Sequence, residues 1–267
     1  MRPVVHLSED ARAEAVRRLD EIERDHGVRI LFAIESGSRA WGFPSADSDY
    51  DVRFLYVRPV EHYLRLDPPR DVIETPIDGL WDVNGWDLRK ALNLMRKGNA
   101  VIVEWLRSPL IYREVGETAN VLRDLADQHV DVEHAVRHYH GLMGSQYRRD
   151  IAGRQTVRLK KYFYSVRAAA ALEWVRLHAS VPPMALPDLL DGGCVPPHVR
   201  AVLDPMLTAK IQSKELGEGP RIPILDEYIE EMEGWARDTG LIRPHRPTAE
   251  FLAATDDLFI LAVGLGA

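Results

Sequence analysis

Asp49 and Asp51 stand two residues apart in Asp49-Tyr50-Asp51, and the apolar run Val52 to Val57 that follows reads as a strand. Side chains two apart in a strand point to the same face, so these two carboxylates aim at one point in space. Like charges held that close repel unless a divalent cation lies between them. Upstream, Gly37-Ser38 ends another apolar strand, Ile30 to Ile34. A Gly-Ser turn offers backbone N–H groups and a hydroxyl to an anion. An anion cradle beside a carboxylate pair is what metal-assisted phosphoryl or nucleotidyl transfer requires.

The elements that position these groups follow from periodicity. Ala11, Ala15, Leu19 and Ile22 recur at helical spacing, so Ser8 to His26 is a helix stopped by Gly27. Val28 to Ile34 and Val52 to Val57 are buried strands. Asp71 to Ile77 and Leu80 to Trp86 read as strands around an Asp78-Gly79 turn. Leu88 to Lys97 is a helix capped by Asp87 and stopped by Gly98, Asn99 to Leu106 another, and Leu110 to Arg113 a short strand. After about Gly116 strand signals vanish. Helices are expected over Thr118 to His129, Val132 to Ile151, Thr156 to His178, Pro197 to Ser213, Ile224 to Asp238 and Thr248 to Val263. The expected architecture is an α/β domain over residues 1–115, a small mixed sheet with flanking helices, then an all-α domain over 116–267.

Composition narrows the function classes. The 267 residues are 46% hydrophobic and 28% charged, which fits an ordinary globular protein. No apolar run reaches membrane-spanning length, and Met1 to Asp10 lacks the apolar core of a signal peptide. Cys194 is the single cysteine, which excludes an internal disulfide and points to the cytoplasm. A net charge of −7 argues against a general nucleic-acid binder. The charge is uneven, however. Between Arg137 and Arg176 lie nine Arg or Lys residues, opposed only by Asp150 and Glu173, which suggests a local polyanion site.

Gly37-Ser38 followed by Asp49-x-Asp51 resembles the signature of the polymerase-β-type nucleotidyltransferase superfamily. The longer runs Gly-Ser-Arg-Ala-Trp-Gly-Phe and Ser-Asp-Tyr-Asp-Val-Arg-Phe are similar to its RNA-repair-pathway (RlaP) branch, as are Asp87-Leu88-Arg89-Lys90-Ala91-Leu92, Lys97-Gly98-Asn99 and Glu104-Trp105-Leu106-Arg107-Ser108-Pro109. The resemblance implies a nucleotidyltransferase fold and transfer of a nucleoside monophosphate from an NTP to a hydroxyl, releasing pyrophosphate. It implies two Mg²⁺ ions, with Mn²⁺ as a substitute. These would be held by Asp49, Asp51 and a third acid that ends a neighbouring strand. Asp87 fits that place, and Asp82, on the opposite strand face, competes with it. Asp51 would touch both ions, Asp49 the triphosphate's ion, and Asp87 the ion that activates the acceptor.

Gly37 and Ser38 would hold the β- and γ-phosphates, and Arg39 either pairs with a phosphate or is solvated. A later helix in the superfamily often supplies a Lys to the triphosphate. Lys160 or Lys161 would do so, with Arg167 on the face shared by Lys160 and Tyr164. Arg148, Arg149, Arg154 and Arg158 are the expected contacts of an RNA acceptor. A protein or small-molecule acceptor and a non-catalytic nucleotide- or RNA-binding module are the alternatives; the presence of all three acids speaks against the last. Trp41 and Phe43 read as core or lid aromatics, and His134 and His138 as surface histidines.

Overall fold

The computed structural model describes residues 7–212, 216–243 and 246–264. Part of the Met1–Asp10 segment, and Ser213 at the end of one expected helix, lie outside the described residues. The first elements are α1 (Glu9–His26), β1 (Arg29–Ser36), the single turn α2 (Gly37–Ala40), β2 (Tyr50–Val57) and α3 (Val60–Tyr63). Then come β3 (Val72–Glu74), β4 (Trp81–Asp87), α4 (Leu88–Arg96), α5 (Val101–Leu106), β5 (Ile111–Glu114) and α6 (Thr118–His129). The remainder is α7 (Val132–Asp150), β6 (Thr156–Arg158), α8 (Lys160–His178), α9 (Leu186–Asp191), α10 (Pro197–Gln212), β7 (Glu218–Pro220), α11 (Pro223–Asp238) and α12 (Ala249–Ala262). The mixed sheet followed by helices is the expected fold class.

The chain packs as two compact units. Among the described residues, the sheet unit holds 7–40, 49–130 and 246–264. Its five strands are ordered β3-β4-β2-β1-β5. β2 is antiparallel to β1 and parallel to β4, so the strand that carries Asp51 is central. Alternation along β2 sends Val52, Phe54 and Tyr56 into a core with Ala15, Leu19 and Ile22 of α1. Leu55 and Val57 face the other way, into a core with Leu88, Leu92, Leu122, Phe251 and Leu258 from α4, α6 and α12. α6 and α12 follow residue 115 in the sequence and belong to this unit. Asp51 and Arg53 share the parity of Leu55, so these polar side chains lie on the α4 side of the sheet.

Among the described residues, the helical unit holds 41–48, 131–212 and 216–243. Its core is α7, α8 and α11 around Tyr139, Met143, Tyr162, Phe163, Val166 and Ile229. Phe43 is 1% exposed within that core, 5.6 Å from the Phe163 ring centroid, so the aromatic pair of the signature loop is packing. α8 is shorter than the spacing predicts. Thr156–Arg158 forms β6, which pairs with β7 some 60 residues on, a partner that local periodicity does not reveal. α9 is likewise absent from the sequence expectation.

Candidate active site

β1 ends at Ser36, where Gly37 takes φ +64° and the chain turns into α2. That left-handed value is accessible to glycine at no steric cost. A second constraint acts at the same residue. A Cβ placed on Gly37 would lie 2.0 Å from Asp51 Oδ2, so the Asp51 carboxylate fills the space where a side chain would be. The turn and the acid therefore form one site, and glycine is required on both counts.

The register of the sheet separates the two acids of β4. β2 and β4 pair in parallel with Asp51 opposite Asp82 and Tyr56 opposite Asp87. Asp82 is thus beside Asp51 on the same face, whereas Asp87 is five residues further along and on the other face. The assignment of Asp87 to a metal is therefore corrected. Asp87 Oδ1 accepts the Arg89 N–H at 2.9 Å as the cap of α4, and Oδ2 accepts the Tyr63 hydroxyl at 2.9 Å. Burial pushes its carboxyl up, against the pull of those two bonds.

Asp51 and Asp82 are bridged by a cation that belongs to the chain. Arg53 Nη2 donates to Asp51 Oδ1 at 3.2 Å and to Asp82 Oδ2 at 2.8 Å. Asp82 Oδ1 accepts from Asn84 Nδ2 at 2.6 Å. Burial raises the Asp51 carboxyl above its usual range; Arg53 opposes that shift, while Asp82 and Asp49 add to it. Asp49 is exposed, and its carbonyl accepts from Arg39 Nε at 3.1 Å. Arg39 also lies 3.9 Å over the Tyr50 ring, which ties it to the Asp49-Tyr50 main chain. Beneath Asp51 is Glu35, fully buried, whose carboxyl burial pushes up to about 7. Sequence reading passed over it, although an acid ending a run of buried apolar residues was the available signal.

The donor set suits a hard divalent cation. Asp49, Asp51 and Asp82 supply only oxygen, Mg²⁺ commonly takes one or two carboxylates plus substrate phosphates, and a guanidinium already sits between two of these acids. Among the described residues, no three His, Cys, Asp or Glu side chains are gathered closely enough to cage a metal by themselves.

The other sequence-predicted residues lie in the helical unit. Arg167 is 1% exposed, its guanidinium 4.4 Å over Trp41 and 5.8 Å from Tyr139, with Nη1 donating to the Met184 carbonyl at 3.2 Å. It is a core residue of α8, which corrects its assignment to the nucleotide. Lys160 and Lys161 open α8, with Lys161 Nζ 3.6 Å from Asp150. Arg148 pairs with Glu233, Arg149 with Asp150 and Arg158 with Glu218, while Arg154 donates to the Arg149 carbonyl. His134 is buried, not superficial: it bonds Asp131 at 2.7 Å and closes the capping box of α7.

A Gly-Ser turn set against acids on a mixed sheet is the arrangement of polymerase-β-like nucleotidyltransferases. The model of the RNA repair pathway DNA polymerase beta family (RlaP) matches residues 11–260, and the chain belongs to that family. A protein of Bacillus subtilis (strain 168), described as uncharacterized protein YcgL, is 42% identical over 215 residues, 80% of this chain and 82% of that one. The crystal structure of a nucleotidyltransferase-like protein from Exiguobacterium sibiricum 255-15 superposes on 95% of this chain and 88% of its own. The identity is 14% and the TM-score 0.34, too loose for residue correspondence.

Proposed function

We propose that the protein is a Mg²⁺-dependent nucleotidyltransferase that moves a nucleoside monophosphate from an NTP to an acceptor hydroxyl, with an RNA end as acceptor. One observation carries the reading: the Asp51 carboxylate lies in the space that Gly37 leaves open and stands in register with Asp82. Asp51 and Asp82, joined by Asp49, would hold the metal, which neutralises charge on the triphosphate and on the acceptor oxygen when bound. A metal held there would displace Arg53 from the two carboxylates, and its guanidinium would be left for the triphosphate. Gly37 and Ser38 would hold the phosphates, and Asp82 would take the acceptor's proton. The protein's contribution is positioning more than covalent chemistry.

Membership of an RNA-repair family supports RNA as acceptor. The ion pairs at Arg148, Arg149 and Arg158 favour a second reading, in which those side chains belong to the surface and the acceptor is a protein or small molecule. Each α-labelled NTP incubated with RNA, protein and small-molecule acceptors separates the two by which one gains label. Absence of label on all three, with pyrophosphate not released, would rule out transfer.

A further inference from the structure

Glu35 is 0% exposed and sits two residues before Gly37, on the strand that faces Asp51. Its side chain spans two strands. Oε1 accepts the backbone N–H of Asp51 at 3.0 Å, and Oε2 accepts the Tyr112 hydroxyl of β5 at 2.5 Å. The Glu35 main chain is held from the same direction: its N–H donates to the Leu110 carbonyl at 2.9 Å, and its carbonyl accepts from Ser108 Oγ at 2.6 Å. Asp51 faces Ser36, the last residue of β1, so the ladder is ending where its N–H needs a partner. A carboxylate supplies that partner from the neighbouring residue.

Burying a carboxyl is costly unless its oxygens are bonded, and the positions before Glu35, from Ile30 to Ile34, are all buried and apolar. An apolar residue here would avoid that cost and would leave the Asp51 N–H without an acceptor. We propose that Glu35, braced by Tyr112, is a positioning residue that fixes the main chain of Asp51 against Gly37. It touches neither NTP nor metal and acts only through Asp51. The inference rests on the reading of Asp51 as a metal-holding residue.

Glu35→Met, Glu35→Gln and Tyr112→Phe test it in two measurements. Amide hydrogen exchange of the metal-free protein reads the Asp51 N–H, and electron paramagnetic resonance of free Mn²⁺, with a non-hydrolysable ATP analogue, reads metal uptake. Glu35→Met should speed exchange at Asp51 and weaken Mn²⁺ binding about tenfold or more, as loss of a group that orients a metal ligand does. Glu35→Gln retains an acceptor oxygen and should stay close to wild type in both. Tyr112→Phe loosens the brace and should fall between them; it carries the test if Glu35→Met does not fold. Equal Mn²⁺ affinity in wild type and Glu35→Met, or equal loss in the Gln and Met variants, would overturn the positioning role alone. No Mn²⁺ uptake by wild type would overturn the functional reading, and this inference with it.

Discussion

Asp82 and Asp87 sit five residues apart on one strand and face different tasks. Asp82 shares Arg53 with Asp51, whereas Asp87 caps a helix and holds Tyr63. Asp82→Asn should therefore leave stability nearly unchanged and abolish the thermal shift given by Mg²⁺ with NTP, since ligand stabilises only what it binds. Asp87→Ala should do the reverse, losing about 1–2 kcal/mol in urea denaturation through cap and hydroxyl while the Mg²⁺-NTP shift persists. If Asp87→Ala lost the shift and Asp82→Asn kept it, the register argument would fail. Gly37→Ala combines a left-handed backbone with a Cβ driven into the Asp51 carboxylate. It should cost roughly 1–2 kcal/mol from the backbone and also lose the Mg²⁺-NTP shift. Cys194 is buried, and burial holds its thiol up to about 11. Ellman's reagent at pH 8 should react with it roughly a hundredfold more slowly in the native protein than in urea.

At the scale of elements, α7 and α8 carry most of the basic stretch, and the buried Arg167 of α8 differs in kind from the exposed cations of α7 and the loop after it. Arg167 lies inside, among Trp41 and Tyr139, and desolvated cation–π contacts are worth about 2 kcal/mol or more, so Arg167→Ala should lower the melting temperature without touching NTP binding. Arg148 and Arg149 lie outside in exposed ion pairs worth about 0–1 kcal/mol each, and the exposed Arg154 donates to the Arg149 carbonyl, so changing all three to Gln should hardly affect stability. If RNA is the acceptor, each lost phosphate contact should flatten the log–log salt dependence of single-strand binding by about 0.7. Unchanged affinity and slope in the triple variant would assign these residues to a solvated surface and favour the protein or small-molecule acceptor.

Across the whole molecule the chain visits its two units more than once, and sequence order is not packing order. α12, near the end of the described residues, buries Phe251 and Leu258 in the core shared with α4 and α6. Arg96 of α4 bonds Thr255 and the Leu252 carbonyl of the same helix, each at 2.6 Å. Phe251→Ala should therefore destabilise the sheet unit by about 3–5 kcal/mol, the usual loss for an emptied aromatic site. Calorimetry with and without Mg²⁺ and NTP would show whether the weakened transition is the one that ligand stabilises. An effect confined to a transition insensitive to ligand would contradict the place of α12 in that core.

What the sequence alone determined is local. Gly-Ser after an apolar strand announces a turn, and Asp51 opens an apolar run, so the turn at Gly37 and the strand that carries Asp51 were legible without coordinates. The helices α1, α4, α6, α7, α11 and α12 were recognisable for the same reason, since their apolar spacing and caps lie within a few residues. Tertiary structure decided whatever depends on a distant partner. Asp82 lies near the start and Asp87 at the end of one strand, and only the pairing of β2 with β4 sets Asp82 beside Asp51. Arg167 looks like a surface cation until Trp41, more than a hundred residues earlier, is packed under it. Glu35 finds its brace in Tyr112, 77 residues away, a hydrogen bond that no local pattern announces because it is made across the sheet rather than along the chain.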